Sequence, residues 1–355
     1  MFNKMKKFSR AALSVAVLAV TVLFAGCGSK AAASGGSLSV STFGLSTKQM
    51  TSDIFDPFSK QSGTKVQSQF GDSSQRFTQV AHNPNAAVDV IELSQNNALS
   101  GNKKNLFKKL DFSKIKNFNT LSSAQQKLAK ETNSVPYTVN SIGIIYDPSK
   151  TGKITSWDQL WSGKLKGKIA IPDITTTFGP AMLYVAGDHA GTPVTKDNGK
   201  AAFKALADLK PNVVKTYTQS SDLANMFKSG EITAAVVGDF AVGMIQAADS
   251  NAVYTVPASG TYANYDTASI LKSSKNTKAA YAYLSYRLSK TAQAKAAEPK
   301  SLNNAPVNDT VKLSAANAKN KTYGAIAKRA KTIDFDYVNS HLSGWIKTWN
   351  SLMNK

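Results

Sequence analysis

From Leu38 onward the chain repeats one rhythm: a short apolar or alternating segment, a polar loop, then a stretch with apolar residues at helical spacing. This rhythm constrains the fold more than any other feature. Strands separated by helix-length crossovers pair in parallel and build an α/β layer structure. Leu38 to Ser41 reads as a strand, and Met50 to Gln61 places Ile54, Phe55 and Phe58 on one helical face, with Gly63 as a stop. Lys65 to Phe70 alternates like a strand, Ser73 or Ser74 then caps a helix carrying Phe77 and Val80, and Val88 to Leu93 is a third strand. Ligands of such folds sit beyond the carboxyl ends of the strands. That rule points to Thr42 and Phe43 after the first strand and to Ser94 and Gln95 after the third.

The second half repeats the rhythm independently. Strands are predicted at Ser141 to Tyr146, Lys168 to Ile171, Val213 to Tyr217, Ile232 to Val237 and Ala252 to Val256. Between them lie a short helix Trp157 to Trp161 capped by Ser156, and helices at Pro180 to Ala186, Lys200 to Leu209 and Phe240 to Ala248. Another helix, capped by Ser221, carries Leu223, Met226 and Phe227 and is closed by Gly230. The chain ends in helices, Lys278 to Leu288 and an amphipathic one with Val338, Leu342, Trp345, Trp349 and Leu352 on one face. The tryptophans of that face read as core packing.

The N-terminus locates the protein. Lys4, Lys6, Lys7 and Arg10 precede an apolar run from Ala11 to Phe24, shorter than the about 20 residues of a membrane helix and suited to a signal peptide. The run ends Leu23-Phe24-Ala25-Gly26-Cys27, which resembles a bacterial lipoprotein lipobox, and Cys27 is the only cysteine in the chain. The resemblance implies cleavage before Cys27, a diacylglyceryl thioether on its sulfur, and anchorage on the outer face of a single-membrane bacterium; an ordinary signal peptide with an incidental cysteine is the alternative. Residues 27–36 form a small, flexible tether. The net charge of +21 on 355 residues is dispersed over many lysines and few arginines. With an export signal, this argues for an anionic lipid or cell-wall surface, or for solubility alone, and not for nucleic acid.

Five stretches carry a resemblance: Val135 to Pro148 (VPYTVNSIGIIYDP), Ser156 to Asp173, Thr176 to Leu183 (TTFGPAML), Ser221 to Asp239 and Ile333 to Asn350. In this order they are similar to the extracellular solute-binding proteins of ABC importers, in the spermidine/putrescine-binding branch. The resemblance implies a two-lobed, periplasmic-binding-protein-like α/β fold of type II with the ligand in a cleft between the lobes. Lobe one is then residues 37–137 plus 257–310, lobe two 138–256, and 311–355 are C-terminal helices packed on the lobes. It further implies capture of a small molecule by a monomer, lobe closure, delivery to a membrane permease, and no cofactor.

An amine ligand needs carboxylates and aromatic faces. Asp173 and Asp266 match positions where the polyamine binders place an acid, and Asp239 is a third acid at a strand end. Tyr137 and Asn140 fall where the resemblance makes the chain cross between lobes, and Tyr262 and Tyr265 where it returns. The ligand-binding set expected is Thr42, Phe43, Ser94, Gln95, Tyr137, Asp173, Thr176, Asp239, Tyr265 and Asp266. Three family tryptophans are missing: Thr42-Phe43-Gly44-Leu45, Gly238 and Asn264 stand in their places. The missing tryptophans argue against a long polyamine and leave room for a small amine.

A small anion such as a phosphonate or carboxylate is the alternative. Two helix starts suit it: one with Ser73, Ser74 and Arg76, the other with Thr176 and Thr177. A surface adhesin with an unused cleft is a second alternative. Ferric ion would want adjacent tyrosines, and no Tyr-Tyr pair occurs. The chain holds no G-x-S-x-G, H-E-x-x-H or Walker motif, and its three histidines are scattered, so neither an enzyme nor a metal site is expected.

Overall fold

The computed structural model describes residues 36–353. The signal segment, Cys27 and nearly all of the tether lie outside the described residues. Eleven strands are present among them: β1 (Ser37–Phe43), β2 (Lys65–Gly71), β3 (Val90–Ser94), β4 (Val135–Tyr146), β5 (Ile169–Pro172), β6 (Val213–Tyr217), β7 (Ala234–Gly238), β8 (Val253–Thr255), β9 (Thr261–Ile270), β10 (Ala305–Pro306) and β11 (Ala330–Lys331). Their path runs β2-β1-β3-β9-β4-β7-β5-β6, with β8 and β10 also on β4 and β11 on β9. The predicted parallel pairs are there, β1 with β2 and β3, and β5 with β6 and β7. The fold is α/β, as expected.

Two long antiparallel strands join the parallel sets. The first half of β4 pairs with β9, Val139 facing Tyr265 and Ser141 facing Ala263; from Ile142 onward β4 pairs with β7 instead. The far half of β9 pairs with β3, Ser94 facing Asp266. Apolar packing divides accordingly. Leu38, Val40, Val90, Val135, Ile270 and Tyr283 share one core, and Ile144, Ile169, Ile171, Leu183, Val236 and Trp349 another. The carboxyl ends of β1 and β2 from one set and of β5 and β6 from the other open into one cleft.

Several boundaries differ from the sequence reading. β4 starts at Val135, not Ser141, and all twelve of its residues are buried. A strand covered on both faces has no alternation to read, and Pro136 is absorbed at a register shift. β9 has no apolar run, because Asn264 and Asp266 interrupt it. The helix Ser73–His82 has Asp72 as its N-cap, and Ser220–Ser229 has Gln219, so Ser73 and Ser221 lie within the helices. The C-terminal helix Phe335–Met353 buries Val338, Trp345 and Trp349, which are core residues as read. No described helix is long and apolar enough to cross a membrane.

Candidate ligand cleft

The cleft encloses about 630 Å³. Its walls come from strand ends: Phe43 to Ser46 after β1, Gly71 to Gln75 after β2, Thr175 to Phe178 after β5, and Tyr217 to Ser221 at the end of β6. Tyr137 and Asn140 of β4 with Asn264 and Asp266 of β9 form the floor, and Phe240, Leu302 and Asn304 complete it. Successive strand residues point to opposite faces. Asn264 and Asp266 therefore reach the cleft, while Tyr265 packs on the core that holds Val135 and Tyr283.

Asp266 is the centre of the floor. Its Oδ2 accepts from Asn140 Nδ2 at 3.0 Å and its Oδ1 from Asn264 Nδ2 at 2.9 Å. Burial, assisted by the charge of Glu92, pushes the Asp266 carboxyl up to about 7; the Asn264 bond and the guanidinium groups of Arg287 and Arg76 pull it back only in part. Asn140 Oδ1 is buried and has no partner among the described residues. Two carboxylate oxygens offer about four acceptor positions. Two amide donors leave the rest to a ligand.

Beneath the floor a buried network holds this geometry. Glu92 accepts from Thr42 Oγ1 at 2.6 Å and Tyr283 OH at 2.8 Å, and Arg287 Nε lies 2.9 Å from it. The Arg287 guanidinium sits 3.8 Å from the centre of the Tyr137 ring. Arg76 is buried too. Its Nη1 donates to Glu92 O at 2.6 Å and Ser41 O at 3.1 Å, and its Nε to Gly71 O at 2.8 Å. Its charge lies 4.9 Å from the Phe43 ring centre. Arg76 thus clamps three strand ends from behind and is not among the lining residues.

The expected site residues divide. Phe43, Tyr137, Thr176 and Asp266 line the cleft, as do Ser73, Ser74 and Thr177 of the alternative anion site. Thr42, Ser94, Gln95, Asp173, Asp239 and Tyr265 do not, and Tyr262 packs edge-on against Tyr184 instead. Thr42 turns inward to Glu92; Ser94 N donates to Ser73 Oγ at 3.0 Å; Gln95 N donates to Asn264 Oδ1 at 3.2 Å. Asp173 accepts from Thr175 N at 3.0 Å and from Trp349 Nε1 at 3.0 Å, which ties it to its own loop and to the C-terminal helix. Asp239 accepts from Thr322 N at 2.7 Å, and burial raises its carboxyl to about 7. Asp173 and Asp239 are turned from the cleft because the indole, backbone and hydroxyl donors around them need acceptors.

The reading from residues passed over Phe178 and Phe240, whose rings stack at 6.0 Å with 16° between planes. They fill the space beside Gly238, where a Cβ would come within 2.4 Å of Phe240 and 2.6 Å of Phe178. Their signal was present: Phe178 lies inside the TTFGP stretch, and Phe240 follows Asp239 directly. Among the described residues no group of three or more His, Cys, Asp or Glu could hold a metal ion.

Comparison with known proteins agrees with this architecture. Residues 53–325 match the family model described as bacterial extracellular solute-binding protein. The putrescine-binding periplasmic protein SpuD of Pseudomonas aeruginosa is 26% identical over 257 residues, 66% of this chain and 69% of that protein. The spermidine/putrescine-binding periplasmic protein of Salmonella typhimurium is 24% identical over 248 residues, 68% of this chain and 70% of that protein. An ABC transporter structure from Clostridium perfringens superposes with a TM-score of 0.76 at 47% identity, covering 89% of this chain and 99% of that one. These relatives are transport proteins and not enzymes. The family match spans most of the chain and the solved relatives share its fold, so the chain belongs to the bacterial extracellular solute-binding proteins of ABC transporters.

Proposed function

We propose that this chain is the lipid-anchored capture subunit of an ABC importer and that it holds a small amine, a polyamine or a related compound, in the cleft. One observation carries the reading: Asp266 stands on the cleft floor with acceptor capacity left over, oriented by Asn140 and Asn264. An ammonium group would pair with that carboxylate, and Phe43, Tyr137, Phe178 and Phe240 would cover its methylenes. The putrescine- and spermidine-binding relatives support the same chemistry.

The change of pairing partner midway along β4 supports two lobes near the expected limits, 37–137 with 257–310 and 138–256. Ligand bridging them would favour a closed form, which a permease would recognise. Cys27 would carry the lipid. An adhesin of the same fold would show no ligand-dependent closure.

Calorimetric titration with putrescine, spermidine and monoamines tests the amine reading. Binding of at least one amine, weakened about tenfold or more by Asp266→Asn, is expected, the equivalent of one charge-assisted hydrogen bond. Binding unaffected by that substitution would remove Asp266 from the site.

A further inference from the structure

We infer that the end of the β1–β3 set opposite the cleft is a membrane-facing surface, on which exposed lysines rest against anionic phospholipid headgroups and hold the cleft away from the bilayer. The inference rests on the anchored reading above and deepens it by naming the face that meets lipid. It starts from where the chain enters the fold. Gly36 O accepts from Lys65 N at 3.0 Å, and Ser37 pairs with Lys65, so residues before Gly36 join the fold at the starts of β1 and β2. The carboxyl ends of the same strands, Phe43 and Gly71, line the cleft. The length of β1 separates the two places, about 20 Å at about 3.3 Å per residue.

Other segments return to this end. Val90, at the start of β3, pairs with Ile270 at the end of β9. Asp89 accepts from Ser39 N at 2.9 Å, Ser274 Oγ at 2.7 Å and Asn276 Nδ2 at 3.1 Å, which draws the turn after β9 onto the start of β1. Lys272 N donates to Leu106 O at 3.0 Å, which adds the loop after the helix Gln95–Lys103. Lys65, Lys104, Lys272, Lys275 and Lys278 thereby meet at one end of the fold, all exposed. None of the five forms an ion pair among the described residues. The neighbouring acids are already partnered: Asp89 is buried under its three donors, Asp111 holds Lys114 at 3.3 Å, and Asp336 holds Lys103. Like charges left without internal partners make a positive field directed outward.

The position of Cys27 in the chain selects lipid as the partner. Cys27 lies nine residues before Gly36. An extended chain covers about 3.3–3.6 Å per residue, so a lipid on the Cys27 sulfur would keep Gly36 within roughly 30 Å of the bilayer. Headgroup charge acts over a Debye length, about 8 Å at physiological ionic strength, and the chain is short enough to let the lysines come that close. A lipid anchor fixes a point and leaves the body free to turn about it. Five cations around the entry point favour one face, each raising residence at an anionic surface roughly fivefold. With that face down, the strand ends that line the cleft point away from the lipid, toward incoming solute.

The test is lysine footprinting of the full chain, purified from membranes and reconstituted on vesicles of phosphatidylcholine alone or with about one-third phosphatidylglycerol. A membrane-impermeant acetylating reagent is applied and each lysine is read by mass spectrometry. Lys272, Lys275 and Lys278 should react about fivefold or more slowly on the anionic vesicles than on the neutral ones, and about 1 M salt should remove the difference. The exposed Lys164 and Lys166, which precede β5, should react alike on both. Lys272→Glu combined with Lys275→Glu, two exposed positions, should return Lys65 and Lys278 to their reactivity on neutral vesicles. Equal reactivity on both vesicles, with a diacylglyceryl mass on Cys27, overturns the lysine surface and keeps the anchor. Protection without that mass overturns the anchor and keeps the surface. Protection by a purified anionic cell-wall polymer, with none on vesicles, assigns the lysines to the wall and overturns the lipid contact.

Discussion

Trp349 Nε1 donates a hydrogen bond to Asp173 Oδ2 at 3.0 Å. The bond joins the last helix to the loop after β5. It also turns one of the family-matched acids away from the cleft, since the other Asp173 oxygen is taken by Thr175. Trp349 is fully buried. Trp349→Ala should cost about 3–5 kcal/mol, the usual range for emptying a large aromatic site. Asp173→Asn should cost about 1 kcal/mol, one hydrogen bond weakened, and leave amine affinity unchanged within about twofold. Urea unfolding and calorimetry on both variants check this; a large affinity loss in Asp173→Asn would return that residue to the site.

The Asp266 carboxyl makes both stability and binding depend on pH. It sits at about 7 in the folded protein, as does Asp239, against about 3.9 in an unfolded chain. Between about pH 4 and 7 the folded state keeps protons that the unfolded state has released, so stability falls as pH rises through that window and does not recover above it. The groups around Asp266 are Glu92 on β3, Tyr137 on β4, Arg76 on the helix after β2 and Arg287 on the helix Thr277–Arg287. Burial lowers Arg76 only to about 10, so it stays charged across the window. An ammonium ligand selects the ionised carboxylate. Its affinity should therefore rise from about pH 5.5 to about pH 8 with release of a proton, and the profile should flatten in Asp266→Asn. Titration in buffers of different ionisation enthalpy measures the proton directly, and a flat wild-type profile would argue against an ammonium at Asp266.

The layer fold and most elements were legible because apolar period and caps are local signals. The joining strands were not. β4 is buried on both faces and β9 carries its polar residues toward the cleft, so neither shows the alternation of a half-exposed strand. Site residues were harder for a related reason. Strand ends locate a neighbourhood, but whether an acid faces ligand or fold depends on donors far away in sequence. Trp349 decides it for Asp173 and Thr322 for Asp239, while Asn140 and Asn264 leave Asp266 with capacity to spare.

Gly238 is tied to the aromatic wall. Any Cβ there collides with Phe240 and Phe178, whose stacked rings line the cleft. The backbone is extended at this residue, so the constraint is space alone. Gly238→Ala should force one ring out of the stack at a cost of about 1–3 kcal/mol and weaken ligand binding. Gly238→Ala combined with Phe240→Leu should restore part of the stability, since the smaller side chain vacates one of the two contacts and leaves room for the Phe178 ring to shift. Thermal unfolding of the single and double variants tests the pairing; additive losses would show that the rings are not what Gly238 accommodates.

Two contacts span the mouth of the cleft. Gln219 Nε2 donates to Asp72, and Ser74 Oγ donates to Thr175 O at 3.3 Å. Asp72 and Ser74 follow β2, whereas Thr175 and Gln219 follow β5 and β6. Hydrogen bonds between exposed groups contribute little each. They can nevertheless bias an equilibrium between open and closed forms that differ by a few kcal/mol. Gln219→Ala should open the ligand-free protein, visible as a larger radius of gyration by solution scattering, and saturating ligand should close it again. The same variant should lower apparent affinity by about two- to fivefold, because a smaller closed fraction scales the dissociation constant. A ligand-free radius unchanged from wild type would mean that the cleft is held shut by β4 and β9 and not by its rim.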